Sequence, residues 1–185
     1  MQRIYKTFRI FYLACLLLGL ILPTVGQVGL AVAAGPEQET VNRVHVLSFR
    51  GAVTPVLGQY IVDGIEAAQA SGAAAVILQL DTPGGSVEVT KRIVQDMLAS
   101  PVPIVVYVSP PAAQAGSAGT FITLAGHVAA MAPGSSIGAA SPVSGSGEEV
   151  GETMEAKVKN ILSADIENLA SRRGEKAVEW AVAAV

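Results

Sequence analysis

Ser117 lies in the run Ala115-Gly116-Ser117-Ala118-Gly119. Small neighbours are what a tight turn needs if a hydroxyl is to project from it toward a carbonyl. Ala115 stands where the lipase-type elbow has its first glycine. The same residues also fit a serine that caps the helix expected from about Ser117 to Ala125. A second loop, Asp81-Thr82-Pro83-Gly84-Gly85-Ser86, joins a buried strand to a helix. It would offer backbone N–H donors at a helix start, suited to a carboxylate, a phosphate or an oxyanion. An ordinary turn with Ser86 as N-cap is the alternative there. A third loop, residues 132–150, is rich in Gly, Ser and Pro.

A serine hydroxyl needs a neighbour to take its proton. His45 falls on the first strand and alternates into the sheet. His127 comes ten residues after Ser117, ~15 Å away along a helix at ~1.5 Å per residue. Both read as structural. Lysine is the other base, and residues 35–185 contain Lys91, Lys157, Lys159 and Lys176. A lysine serves as base only where burial favours its neutral form. Lys91 stands beside Arg92 and reads as solvated. Lys157 shares a helix face with Ile161, Ala164 and Asn168, while Lys159, two residues on, points elsewhere. A surface Lys157 paired with Glu155 or Asp165 fits the same spacing.

These loops must be held by regular elements. Val44–Phe49 alternates and is β-branched, a strand. Val56–Ala70 carries apolar residues at Leu57, Ile61, Ile65 and Ala68, a helical stripe. Ala74–Leu80 and Pro103–Val108 are continuous apolar runs, the pattern of buried parallel strands. Between them Ser86–Ala99 reads as a helix. Val128–Met131 reads as a short strand, 154–172 as a long helix, and 175–185 as a helix without a closing cap. Alternating strands and helices joined by short loops predict an α/β fold with a parallel sheet and flanking helices. Ligands in such sheets bind beyond the carboxyl ends of the strands, where all three loops lie.

Residues 1–34 carry Arg3, Lys6 and Arg9, no acid, and a nearly pure apolar run at 10–22. Small residues lead to Leu30-Ala31-Val32-Ala33-Ala34. This is the order of a signal peptide cleaved after Ala33 or Ala34, with an uncleaved membrane anchor as the alternative. Either places residues 35–185 across the membrane, with 35–42 as a linker. The only cysteine, Cys15, lies inside the apolar run, which excludes an internal disulfide framework and a cysteine zinc site. The formal charge is -3 overall. Beyond residue 34 acids outnumber bases further, which argues against nucleic acid.

DTPGGS, AGSAGTFI and AMAPGSSIGAASPV, in that order, resemble the NfeD-type membrane serine peptidases, of the ClpP/crotonase fold. The resemblance covers residues 43–185. It implies a Ser/Lys dyad with Ser117 as nucleophile and Lys157 as general base. It further implies an oxyanion hole from the N–H groups of Gly85 and Ala118. Gly84, Ser86, Gly116 and Gly138 would line the substrate site, with residues 109–111 and 132–150 along the groove. Soluble ClpP proteases have a histidine near the position of Ala140, which this chain lacks. The resemblance implies no metal or cofactor, a peptide or membrane-protein substrate, with stomatin-type proteins among the candidates, and a homo-oligomer, dimer or larger. The helix at 175–185 stops on an apolar face without a cap, so the peptidase domain is expected to be cut short at its C-terminal end; family members continue into transmembrane helices. A non-catalytic interaction domain and an acyl-CoA enzyme of the crotonase type share the fold and are the rival readings.

Overall fold

The computed structural model describes residues 43–141 and 151–185. The expected signal, residues 1–34, and the linker, 35–42, lie outside the described residues, as does the 142–150 part of the third loop. Eleven elements follow in order: β1 (Val44–Arg50), α1 (Pro55–Ala70), β2 (Ala75–Asp81), α2 (Val87–Leu98), β3 (Ile104–Val108), β4 (Gln114–Gly116), α3 (Ala118–Ala125), β5 (Val128–Met131), β6 (Ser136–Gly138), α4 (Glu152–Ser171) and α5 (Glu175–Ala183). β1, β2, β3 and β5 form one sheet in that spatial order, all parallel.

The apolar runs set this arrangement. In β2 and β3 the register pairs Val76 with Ile104 and Leu78 with Val106. These side chains are buried together with Leu57, Ile61 and Ile65 of α1 and Val89, Ile93 and Met97 of α2. The continuous runs had suggested strands buried on both faces. Burial instead alternates along β2 and β3, and Val46 of β1 is 54% exposed. Among the described residues the helical core covers one face of the sheet, so residues at every second position keep partial contact with solvent.

Helix starts follow the local chemistry. Pro55 occupies the first position of α1, where no N–H is needed. Ser86 caps α2, its Oγ accepting from the Val89 N–H at 3.3 Å. In α4, Leu162, Ile166, Leu169 and Ala170 are buried in the core, with Val158 packed against it.

Two elements were not expected. β4 and β6 are three-residue strands that pair in parallel, Gln114 with Ser136, Ala115 with Ile137 and Gly116 with Gly138. Both fall in segments read as loops. Their sheet packs Ala115 and Ile137 against Val108 and Ala113. It lies at the carboxyl end of β3 and leads directly into Ser117.

Candidate active site

The two glycine-bearing loops are mated by backbone. Thr82 N–H donates to Gln114 O at 2.7 Å, and Gly116 N–H donates to Thr82 O at 3.0 Å. Thr82 Oγ1, fully buried, accepts from Gly84 N–H at 3.1 Å. Small residues are required where the loops touch. A Cβ on Gly119 would come within 2.7 Å of Thr82 Cγ2, and one on Gly84 within 2.8 Å of Ser117 Cβ. Gly84 also has φ 120°, a region closed to other residues at ordinary cost.

Ser117 stands at the N-cap position of α3, yet its side chain makes no cap hydrogen bond. Its backbone is at φ 49°, ψ −112°, a strained conformation for a residue with a Cβ. The strain is held by two neighbours. Ser117 N–H donates to Gly138 O at 2.8 Å. Thr120 Oγ1 lies 3.0 Å from both Ala115 O and Gly138 O and accepts from Gly138 N–H at 3.1 Å. The capping reading therefore fails for Ser117, while it holds for Ser86.

A cavity of about 380 Å³ opens beside Ser117. Gly85, Ser117 and Ala118 line it, with an apolar wall that includes Val94, Phe121, Leu162 and Leu169. Neither the Gly85 N–H nor the Ala118 N–H donates to an acceptor among the described residues. Ala140, the position expected to lack a histidine, also lines the cavity and is 2% exposed. Its N–H donates to Ala184 O at 2.7 Å, which ties this wall to the end of α5.

Other expected site residues fall elsewhere. Lys157 is exposed on α4 and does not line the cavity. It lies five residues before Leu162, the first cavity-lining residue of α4, or ~7.5 Å of helix rise. Gly84, Ser86, Gly116 and Gly138 do not line the cavity either, because their backbone groups serve the loop and sheet contacts just described. Residues 109–111 line a separate depression with Ser48, Gln79, Asp81 and Tyr107. The histidines are structural: His45 Nε2 meets Ser71 Oγ at 2.9 Å, and His127 Nδ1 accepts from Ile104 N–H at 3.1 Å.

Two features escaped the sequence reading. Lys91, read as solvated, lines the cavity and pairs with Asp165 at 2.9 Å. It follows Val87 by four residues on the exposed side of α2, so it is solvated as read, and spacing within one helix gave no signal of a partner on another. Arg172 and Arg173 donate to the carbonyls of Thr123, Leu124, Ala125 and Gly126 at the end of α3. Burial first, and then the charge of Arg172, lower the proton affinity of Arg173 from its ordinary value. Those carbonyls are the acceptors that a helix end leaves unpaired and that cations favour.

The sheet, the paired small strands and the serine at the head of a buried helix define a ClpP-like protease fold. The family described as NfeD1b, N-terminal domain, matches residues 43–185, and the chain belongs to it. It is 41% identical over 138 residues to the membrane-bound protease PH1510 of Pyrococcus horikoshii, covering 74% of this chain and 31% of that protein. It is 29% identical over 154 residues to the membrane protein NfeD1b of Bacillus subtilis, covering 83% and 32%. The chain thus spans about a third of the length of these curated relatives. Among solved structures, the 1510-N membrane-bound stomatin-specific protease matches with a TM-score of 0.70 at 37% identity, covering 78% of this chain and 66% of that one. That structure is a lysine-to-alanine mutant in complex with a substrate peptide, and a serine-to-alanine mutant matches with the same TM-score. ClpP1 from Listeria monocytogenes matches with a TM-score of 0.59 at 13% identity, covering 75% of this chain and 77% of that one, a likeness of fold alone. Among the described residues no helix is long and apolar enough to cross a membrane.

Proposed function

We propose that residues 43–185 form a serine endopeptidase domain with Ser117 as nucleophile and Lys157 as general base. The observation that carries this reading is the strained, uncapped Ser117 facing a cavity shared with the unengaged N–H groups of Gly85 and Ala118. Ser117 Oγ attacks the peptide carbonyl carbon as its proton passes to Lys157 Nζ. The oxyanion is held by the N–H groups of Gly85 and Ala118, each such donor being worth about 10²–10³ in rate. The C–N bond breaks as Lys157 Nζ returns the proton to the amine. Water then cleaves the acyl-enzyme, with Lys157 again as base.

The 1510-N relative supports the pairing of a serine with a lysine. The residues altered in its two mutants are separated by one residue more than Ser117 and Lys157, and by one less than Ser117 and Lys159. Counting thus favours neither lysine. On the helix the two lysines flank the cavity lining, Lys157 on the side of Asn168 and Lys159 on the side of Leu162, so the choice of Lys157 rests on the family resemblance of its segment. The reading requires the first turns of α4 to approach Ser117 when a peptide is bound. By the same relationship the substrate is a hydrophobic segment of a membrane protein, of the stomatin type. The domain is proposed to act as a homo-oligomer on the outer side of the cell membrane, delivered by the signal or anchor at residues 1–34.

The exposed position of Lys157 favours a second reading, a peptide-binding domain without turnover. Labelling of the full chain with a fluorophosphonate probe separates the two. Labelling that is lost in Ser117→Ala and Lys157→Ala but kept in Lys159→Ala supports the dyad. Loss in Lys159→Ala with retention in Lys157→Ala would transfer the base to Lys159. Absence of labelling in folded protein would leave the binding domain.

A further inference from the structure

Two helices form facing walls of the cavity. α2 contributes Val87, Thr90, Lys91, Val94 and Gln95, spaced as one helical face. α4 contributes Leu162, Asp165, Asn168 and Leu169. Lys91 and Asp165 stand at the middle of their rows, and their ion pair at 2.9 Å joins the two walls. The side chains are 47% and 42% exposed, so the pair lies at the rim and not in the floor. The other polar side chains lining the cavity, Thr90, Gln95, Ser117 and Asn168, carry no formal charge. The pair is therefore the whole formal charge of the described lining.

From this placement we infer that the Lys91–Asp165 pair sets the charge preference of the cavity, keeping it neutral toward the side chain that enters. The inference rests on the cavity being the peptide site proposed above. Opposite charges in contact present a dipole, whose field falls faster with distance than that of a single charge. Beside the apolar wall of Val94, Phe121 and Leu162, a charged side chain would give up water without finding a counter-charge. An uncharged side chain meets no such loss. Removing one partner leaves a lone charge at the rim, and the preference should then follow its sign.

The test is binding of fluorescent peptides to the full chain carrying Ser117→Ala, which removes turnover. Three peptides differ only in the residue before the scissile bond, which is leucine, glutamate or lysine. The parent should prefer leucine. Asp165→Asn frees the ammonium and should raise glutamate binding relative to leucine by about fivefold or more. Lys91→Met frees the carboxylate and should raise lysine binding by a similar factor. The exchanged pair, Lys91→Asp with Asp165→Lys, should restore the parental order. Unchanged ratios in both single variants, with peptides still bound, would overturn the inference. The expected shifts, with no cleavage by the chain retaining Ser117, would uphold it and overturn the endopeptidase reading. No peptide binding to any chain would overturn both.

Discussion

Arg173 donates a 2.7 Å hydrogen bond to the carbonyl of Gly126, the residue that closes α3, while Ser117 stands at the opposite end of the same helix. All eight residues of α3 are buried and none carries charge. The helix therefore has no ionic partner of its own, and the two arginines that end α4 supply one. Arg173→Ala should lower stability by about 1 kcal/mol, the value of a charged hydrogen bond discounted for exposure. Arg173→Lys should recover only part of this, because the compact, strongly hydrated ammonium must give up more water and freedom than the planar guanidinium to reach these carbonyls. Urea unfolding of the three chains measures both differences.

Ser117→Gly should be more stable than Ser117→Ala by about 1 kcal/mol. The φ of 49° costs any residue with a Cβ about 1–3 kcal/mol, and glycine escapes most of it. Glycine gives back about 0.5–1 kcal/mol in chain entropy. Since Ser117 Oγ makes no cap bond, neither variant loses one. Equal melting temperatures for the two variants would limit the strain to about 0.5–1 kcal/mol, the entropy that glycine gives back, and a higher one for Ser117→Ala would show that the turn carries none.

Gly85→Ala should destabilise by about 2 kcal/mol or more, since overpacking against backbone finds little room to relax. Its Cβ would collide with the backbone of Val53, whose N–H and carbonyl hold Gly84 and Ser86 in the loop. Any folded fraction should lose fluorophosphonate labelling in step, because the displaced Gly85 N–H is one arm of the proposed oxyanion hole. Thermal melting and labelling on one preparation check the pair of outcomes.

Thr120→Val keeps the shape of the buried side chain and removes its hydroxyl. Gly138 N–H would lose its acceptor on Thr120, and the carbonyls of Ala115 and Gly138 would lose the one hydroxyl proton within reach of both, Gly138 O keeping the Ser117 N–H. The expected cost is about 1–3 kcal/mol. Hydrogen exchange at Ser117 and Gly138 should quicken more than exchange in β2, since the hydroxyl braces the pairing of β4 with β6. Uniform quickening across the domain would mean that Thr120 supports the fold and not the turn in particular.

Strong local signals made most of the scaffold readable. The runs at Ala75–Asp81 and Ile104–Val108 and the stripe of Leu57, Ile61 and Ile65 each fix an element within its own length. β4 and β6 could not be found that way. Three residues, with glycine at the end of each, are fewer than the roughly four to eight over which alternation can be read, and are poor in β-formers. The Lys91–Asp165 pair joins residues on separate helices, which rules of three- and four-residue spacing cannot see. Ser117 was legible as a choice between capping and projection. Its dihedral angles and its missing cap bond decided between them, since both readings use the same small neighbours.

Leu162, Ile166 and Leu169 do more than anchor α4, because together they lock its angular phase. Turning the helix by one residue would swing these side chains about 100° toward water, at about 1.5–3 kcal/mol for each one exposed. The first turns of α4 therefore inherit an orientation set further along the helix. Lys157 and Lys159 diverge by about 160° around the axis, so they cannot exchange places by a small adjustment. A residue gained or lost ahead of α4 would leave this phase unchanged. The same change between Lys157 and Leu162 would turn a different side chain toward the cavity. Related chains should thus tolerate length changes before α4 far more readily than within its first two turns.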